Sequence, residues 1–503
     1  MKSLIVLSLI IMDMILCPTG YSAQESPDSA QQNQASSEKS YVENTSITNH
    51  TLNINGKSIS YTAVAGYMPI KNDADKRIAK IFFIAYTKDN KQSNSQRPIT
   101  FAFNGGPGSS AIWLHMGALG PRRVLLADDG TALPKSYELV DNEYTWLDFT
   151  DIVFVDPVGT GYSRTSDDVN PQQFYNLNED VKIMGEFVRL YVTEYQRWLS
   201  PKYITGESYG TTRAAVLAGH LQDRHGMLIS GLVLISAALD FETFSFDRGN
   251  DLAYVLIVPS YTAAAWYHGK LSGNLHESLK GARDWAIDDY MPALAKGSGL
   301  SDSERNKIVE KLAHYTSLSK SYIEEKHMRV ANYQFIVELL SDSSSVIGLL
   351  DSRVKAPYVS NSSPYSFNDP SLFIVEGPYV AAFNNYVQNE LHFRTDMTYR
   401  FLSDHIAETW KWSEGQQGYV DVAGSLTKAV SSNQQLKVFV ASGYFDLTTP
   451  WLSQQYTFTH LGLNPDLQDN ITHRFYESGH QIYTSTEALE KFTHDVSSFL
   501  QQQ

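Results

Sequence analysis

Cysteine is nearly missing from this chain: its 503 residues hold one, Cys17. A single thiol near the amino terminus excludes a disulfide framework, a thiolate metal site and a cysteine nucleophile in the mature chain. Long basic runs are missing too. A formal net charge of -15 repels phosphate backbones and anionic lipid surfaces, so nucleic acid is excluded as a partner. There is no His-Glu-x-x-His and no acidic triplet to hold a metal, and Gly159-Thr160-Gly161 lacks the last glycine and the following helix of a dinucleotide loop. No cofactor and no metal are expected. Apolar runs of membrane-spanning length are also lacking. The stretch from Leu4 to Leu16 is short and broken by Ser8 and Asp13. With Lys2 before it and small residues from Gly20 to Ala23 after it, residues 1–23 read as a secretory signal peptide, the alternative being an uncleaved anchor. Export is expected, with no membrane attachment once the signal is removed.

What is present describes a large folded body. Hydrophobic residues make up 42% and aromatics 12% of the chain, which excludes global disorder. Residues 24–45, rich in Gln, Ser, Asn and Glu, read as a disordered leader. From Thr51, "TLNINGKSISYTA" carries an Asn55-Gly56 turn between alternating segments, a hairpin signal. "KIFFIAYTKD" and "PITFAFNGG" add strands. "DIVFVDPVGTGYS", "NEDVKIMGEFVRLYVTEY", "KYITGESYG", "TTRAAVLAGHLQDR" and "GLVLISAALD" then alternate strand and helix, which predicts parallel strands joined by helical crossovers. Between 241 and 391 the pattern turns helical and aromatic. Strand-like "LKVFVASGYFDLTTP" and "THRFYESGHQIY" follow, and a helix ends the chain. The expected architecture is α/β: a core over 46–240 and 392–503, antiparallel strands at its start, and an inserted helical cap at 241–391.

"TGESYG" holds Gly206-Glu207-Ser208-Tyr209-Gly210, a G-x-S-x-G between a predicted strand and a predicted helix. That setting, more than the pattern, makes it a nucleophile elbow that presents the Ser208 hydroxyl. A serine needs a histidine to take its proton and a carboxylate to orient that histidine. Asp446 and His480 follow in the expected order, each just past a strand, with Gly479 leaving room beside the ring. His115, His268, His392 and His405 lack such a setting. A tetrahedral intermediate also needs two backbone donors, which Tyr209 N–H and Gly106 N–H can supply. Side chains at 105 and 106 would block that approach.

"NGGPGSS", "DPVGTGYS", "GESYG", "SGYFD…P" and "SGH" occur in an order and spacing that resemble the serine carboxypeptidase family, the S10 peptidases, and most of all its exported bacterial members. The resemblance runs from about residue 50 to 500. It implies an α/β-hydrolase fold with a helical cap and the release of single residues from peptides with a free C-terminus. It also implies that Asn104, Gly105 and Glu207 hold the substrate carboxylate. Departures accompany it. Ala118 stands where the family has a second glutamate, Ala102 where it has a tryptophan, Tyr444 where it has a first acid and Ser109 where a cysteine is common. Losing the second acid predicts weaker discrimination of peptide acids from peptide amides, and keeps open an esterase or acyltransferase of the same fold. Arg122 or Arg123 is a candidate substitute cation, against the reading of a solvated surface pair. Asn44, Asn49, Asn361 and Asn470 match the glycosylation sequence, which matters only in a eukaryotic source.

Overall fold

The computed structural model describes residues 45–501 apart from Asn55 and residues 90–95, 128–137, 359–368 and 413–417. The predicted signal peptide, Cys17 and nearly all of the predicted leader lie outside the described residues. The central sheet contains β1 (Ser46–Ile54), β2 (Lys57–Lys71), β3 (Arg77–Lys88), β4 (Ile99–Phe103), β5 (Asp151–Val155), β6 (Lys202–Glu207), β7 (Gly231–Ile235), β8 (Lys437–Gly443) and β9 (Ile471–Tyr476). They lie in the order β1-β2-β3-β5-β4-β6-β7-β8-β9, and a short strand, Arg164–Thr165, pairs with β3. β1 to β3 are antiparallel and β3 meets β5 antiparallel, whereas β5, β4, β6, β7, β8 and β9 run parallel.

Every residue of β4, β5, β6 and β7 is buried, as expected of parallel strands covered on both faces. Successive side chains alternate between two cores. Phe101, Val153, Leu232 and Val438 pack against α1 (Leu177–Glu194) and α2 (Tyr209–His225). Phe154, Val233 and Phe439 pack on the other face, with α7 (Thr486–Gln501). In α1, Val181, Met184, Val188 and Tyr191 recur at helical spacing, and Asn176 caps the helix by accepting Glu179 N–H at 3.0 Å.

Between β7 and β8 the chain passes through α3 (Val258–Tyr267), α4 (Leu275–Trp285), α5 (Asp302–Thr316), a hairpin of Ser345–Ile347 with Lys355–Pro357, and α6 (Pro370–Asn389). Val258, Tyr261, Leu312 and Phe335 form a core of their own here, which Leu447 joins from the loop after β8. By contrast, Tyr379, Phe383 and Tyr386 of α6 pack with the sheet residues. No helix among the described residues is long and apolar enough to cross a membrane. Asn470 is buried and donates to Gln434 O at 2.9 Å, so the folded chain does not offer it for glycosylation.

Candidate active site

Parallel strands bring the sequence-predicted residues to one edge. In register, Phe103 pairs with Gly206, Glu207 with Ile235, Ile235 with Ala441, and Gly443 with Tyr476. Asn104, Ser208, Asp446 and His480 therefore all lie just beyond the carboxyl ends of neighbouring strands, where α/β sheets gather their functional loops.

Ser208 caps α2 at φ 58° and ψ -128°, a conformation that non-glycine residues rarely adopt. The turn is over-determined. Ser208 N–H donates to Ile235 O at 3.0 Å, and Thr211 N–H and Oγ1 donate back to Ser208 O at 2.8 and 2.6 Å. Next to Ile235, Ser236 Oγ donates to His480 O at 2.6 Å, so the end of β7 tethers both the serine and the histidine. His480 Nδ1 lies 2.7 Å from Asp446 Oδ2. The Asp446 carboxylate also accepts Thr448 N–H (2.7 Å), Thr449 N–H (2.9 Å) and Thr449 Oγ1 (2.7 Å). Burial lowers the proton affinity of the His480 ring, but the charge of Asp446 and its hydrogen bond outweigh this and leave it raised. Among the described residues Ser208 Oγ makes no hydrogen bond to His480; such bonds commonly tighten only when substrate is bound.

The loop after β4 abuts the elbow. A methyl group on Gly105 would lie 2.5 Å from Tyr209 N and 2.7 Å from Glu207 O, so only glycine allows this approach. Gly106 has φ 101°, outside the range open to most side chains. Tyr209 begins α2, so its N–H has no acceptor within the helix. A buried network beneath holds these parts together. Arg213 donates to Asp180 Oδ2 (2.8 Å) and to Asn104 O (2.8 Å), and Tyr209 hydroxyl donates to the same Asp180 oxygen (3.0 Å).

Asn104 Oδ1 accepts Leu114 N–H at 3.1 Å, which turns its amide toward Glu207 Oε1 at 3.0 Å. Burial pushes the Glu207 carboxyl up to about 7, partly opposed by His480. Ala118 is fully buried in the π-helical turn His115–Leu119. Arg122 and Arg123 are half-buried rather than a solvated pair. Arg122 bonds to Asp141 and to Glu390, the latter at 3.3 Å, and Arg123 lies over the Tyr144 ring. Tyr444, where the first acid was expected, stacks on Phe475, and Ser109 accepts Trp113 Nε1–H at 2.8 Å. No group of three metal-ligating side chains occurs among the described residues.

Sequence reasoning missed one whole element, a strap from the inserted segment over residues 349–353. Leu350 O accepts His480 N–H at 2.7 Å, Leu349 O accepts Leu447 N–H at 3.1 Å, and Ser352 N–H and Oγ donate to Phe445 O at 3.0 and 2.9 Å. Arg353 forms a buried fork with Asp351 (2.9 and 2.6 Å) and reaches Glu477 O at 3.0 Å. Gly479 gives room to this strap rather than to the ring of His480: a methyl group there would lie 2.6 Å from Asp351 Cβ. Nothing in "GLLDSRV" signals such a role. Thr449 was legible, since Asp-x-x-Thr before proline is a turn in which an aspartate accepts following N–H groups.

A mostly parallel sheet bearing a strained serine on its central strand-to-helix turn is the α/β-hydrolase architecture. A solved structure of the prohormone-processing carboxypeptidase Kex1 from Saccharomyces cerevisiae shares it, with a TM-score of 0.55 at 16% identity over 87% of this chain and 91% of that one. The chain belongs to the serine carboxypeptidase family, Peptidase S10, whose model matches residues 54–496. It is similar to serine carboxypeptidase-like 33 of Arabidopsis thaliana (28% identity over 239 residues, 45% of this chain and 44% of that one). It is also similar to the pheromone-processing carboxypeptidase KEX1 of Saccharomyces cerevisiae (32% over 156 residues, 29% and 20%). These alignments span less than half the length of either curated relative.

Proposed function

We propose that this protein is an exported serine carboxypeptidase that removes C-terminal residues from peptides. Ser208 attacks the scissile carbonyl, His480 takes its proton and later protonates the leaving amine, and Asp446 orients and balances the imidazolium. Gly106 and Tyr209 N–H groups receive the oxyanion. Water, activated by His480, then releases the acyl-enzyme. Asn104, Gly105 and Glu207 hold the terminal carboxylate. The observation that carries this reading is the 2.7 Å pairing of His480 with Asp446 at the same sheet edge as the strained Ser208. Ala118 favours a second reading, an ester hydrolase with loose carboxylate recognition. Blocked dipeptides ending in a free acid, an amide or an ester separate the two. The first reading requires the acid to be cleaved, with Ser208→Ala and His480→Ala each losing roughly 10⁴-fold or more in kcat. An enzyme that cleaves the ester but not the acid overturns it.

A further inference from the structure

The interior around Glu207 holds two polar atoms that no described side chain satisfies. Glu207 Oε2 and the Tyr483 hydroxyl are both buried, and neither has a hydrogen-bonding partner among the described residues. They are neighbours: the Tyr483 hydroxyl, as a hydrogen-bonding neighbour, lowers the proton affinity of Glu207, Glu207 raises that of Tyr483, and the Asn104 amide lowers it. The approach of the two groups stops short of a well-formed hydrogen bond, which leaves both atoms open to a ligand. Folds seldom retain orphaned buried polar groups, because each forfeits its hydration without return, so two side by side call for a ligand.

Tyr483 lies in the turn Ile482–Thr484, three residues after His480. Its ring packs on Gly117: a methyl group there would come within 2.6 Å of its Cδ2 and Cε2, and would also run into the Tyr379 hydroxyl. Gly117 directly precedes Ala118, so the phenol occupies the flank from which the second acid is missing. Burial raises the Tyr483 hydroxyl well above the ordinary tyrosine value. It is therefore a permanent donor, as a site for an anion requires.

We propose that the Tyr483 hydroxyl is a specificity-determining donor that binds the C-terminal carboxylate of the substrate beside Glu207 and Asn104, in place of the acid absent at Ala118. The proposal rests on the carboxypeptidase reading and deepens it. A phenol needs no shared proton, so recognition of the carboxylate does not require a pair of acids, and discrimination of acid from amide is retained despite Ala118.

Tyr483→Phe in the full-length enzyme tests this with the three blocked dipeptides. The expected result is a loss of about 10- to 100-fold in kcat/KM on the free acid, carried mainly by KM, with the amide and ester unchanged. The thermal midpoint should hold or rise, because an unpaired hydroxyl has been removed. An unchanged ratio of acid to amide overturns the proposal and leaves the carboxypeptidase reading intact. An equal fall on all three substrates overturns it too, since that marks a structural role. A wild-type enzyme that does not cleave the acid overturns both.

Discussion

Replacing Glu207 by glutamine should flatten the dependence of stability on pH. In the folded chain burial holds this carboxyl at about 7, against an ordinary 4.5. Between those values the unfolded chain has released the proton and the folded chain keeps it. Stability contributed by the group is thus fully present below about pH 4.5 and is lost as pH rises through 7. The difference between the two values corresponds to about 3 kcal/mol at most. Asp156 acts in the same direction, since burial also pushes it up to about 7. It is common to both proteins, so the difference between wild type and Glu207→Gln isolates Glu207. Near pH 4.5 the substitution should be close to neutral, because protonated Glu207 and glutamine are both uncharged and of nearly the same shape. Urea unfolding across roughly pH 4.5 to 7.5 measures the effect: the wild type should lose about 3 kcal/mol more than the variant over that range. Parallel profiles would show that Glu207 is ionised in the fold, and the reasoning from its burial would be wrong.

Two further outcomes follow from the surrounding geometry. Gly105→Ala places a methyl group against the backbone at Tyr209 N and Glu207 O; the loop must withdraw, and on the proposed roles of Gly106 and Tyr209 N–H kcat should fall by about 10²-fold or more, with an unchanged kcat refuting the close approach. Arg353→Ala leaves Asp351 buried without its cation, which should cost about 3 kcal/mol in denaturant unfolding. The double variant with Asp351→Ala should recover part of that loss, and strict additivity would show that the pair does not interact.

Much of the sheet edge was legible because the chemistry there is written in short segments. "KYITGESYG" combines an apolar run, small residues and a serine before a helical pattern, and the backbone turns where these residues meet. Asp446 and Thr449 share one turn and could be read together. Tyr483 could not be singled out. "SGHQIY" places it three residues past a histidine, and nothing in that spacing says that its hydroxyl is buried beside Glu207, 276 residues earlier. Arg122 and Arg123 were ambiguous for the same reason: Glu390, which pairs with Arg122, is supplied by a distant part of the chain.

By itself the amino-acid order determined that strands would alternate with helices, that Ser208 would sit on a tight strand-to-helix turn, and that an aspartate and a histidine would follow on later strand ends. These depend on local backbone preferences and on apolar periodicity, which neighbouring residues set. Tertiary structure alone decided that the inserted segment would strap His480 and Leu447, the neighbour of Asp446, through Leu350 and Leu349, and that a phenol would stand next to Glu207. Those contacts join residues far apart in the chain, and their energy arises from burial and from hydrogen bonds that exist only once the sheet has brought its loops to one edge.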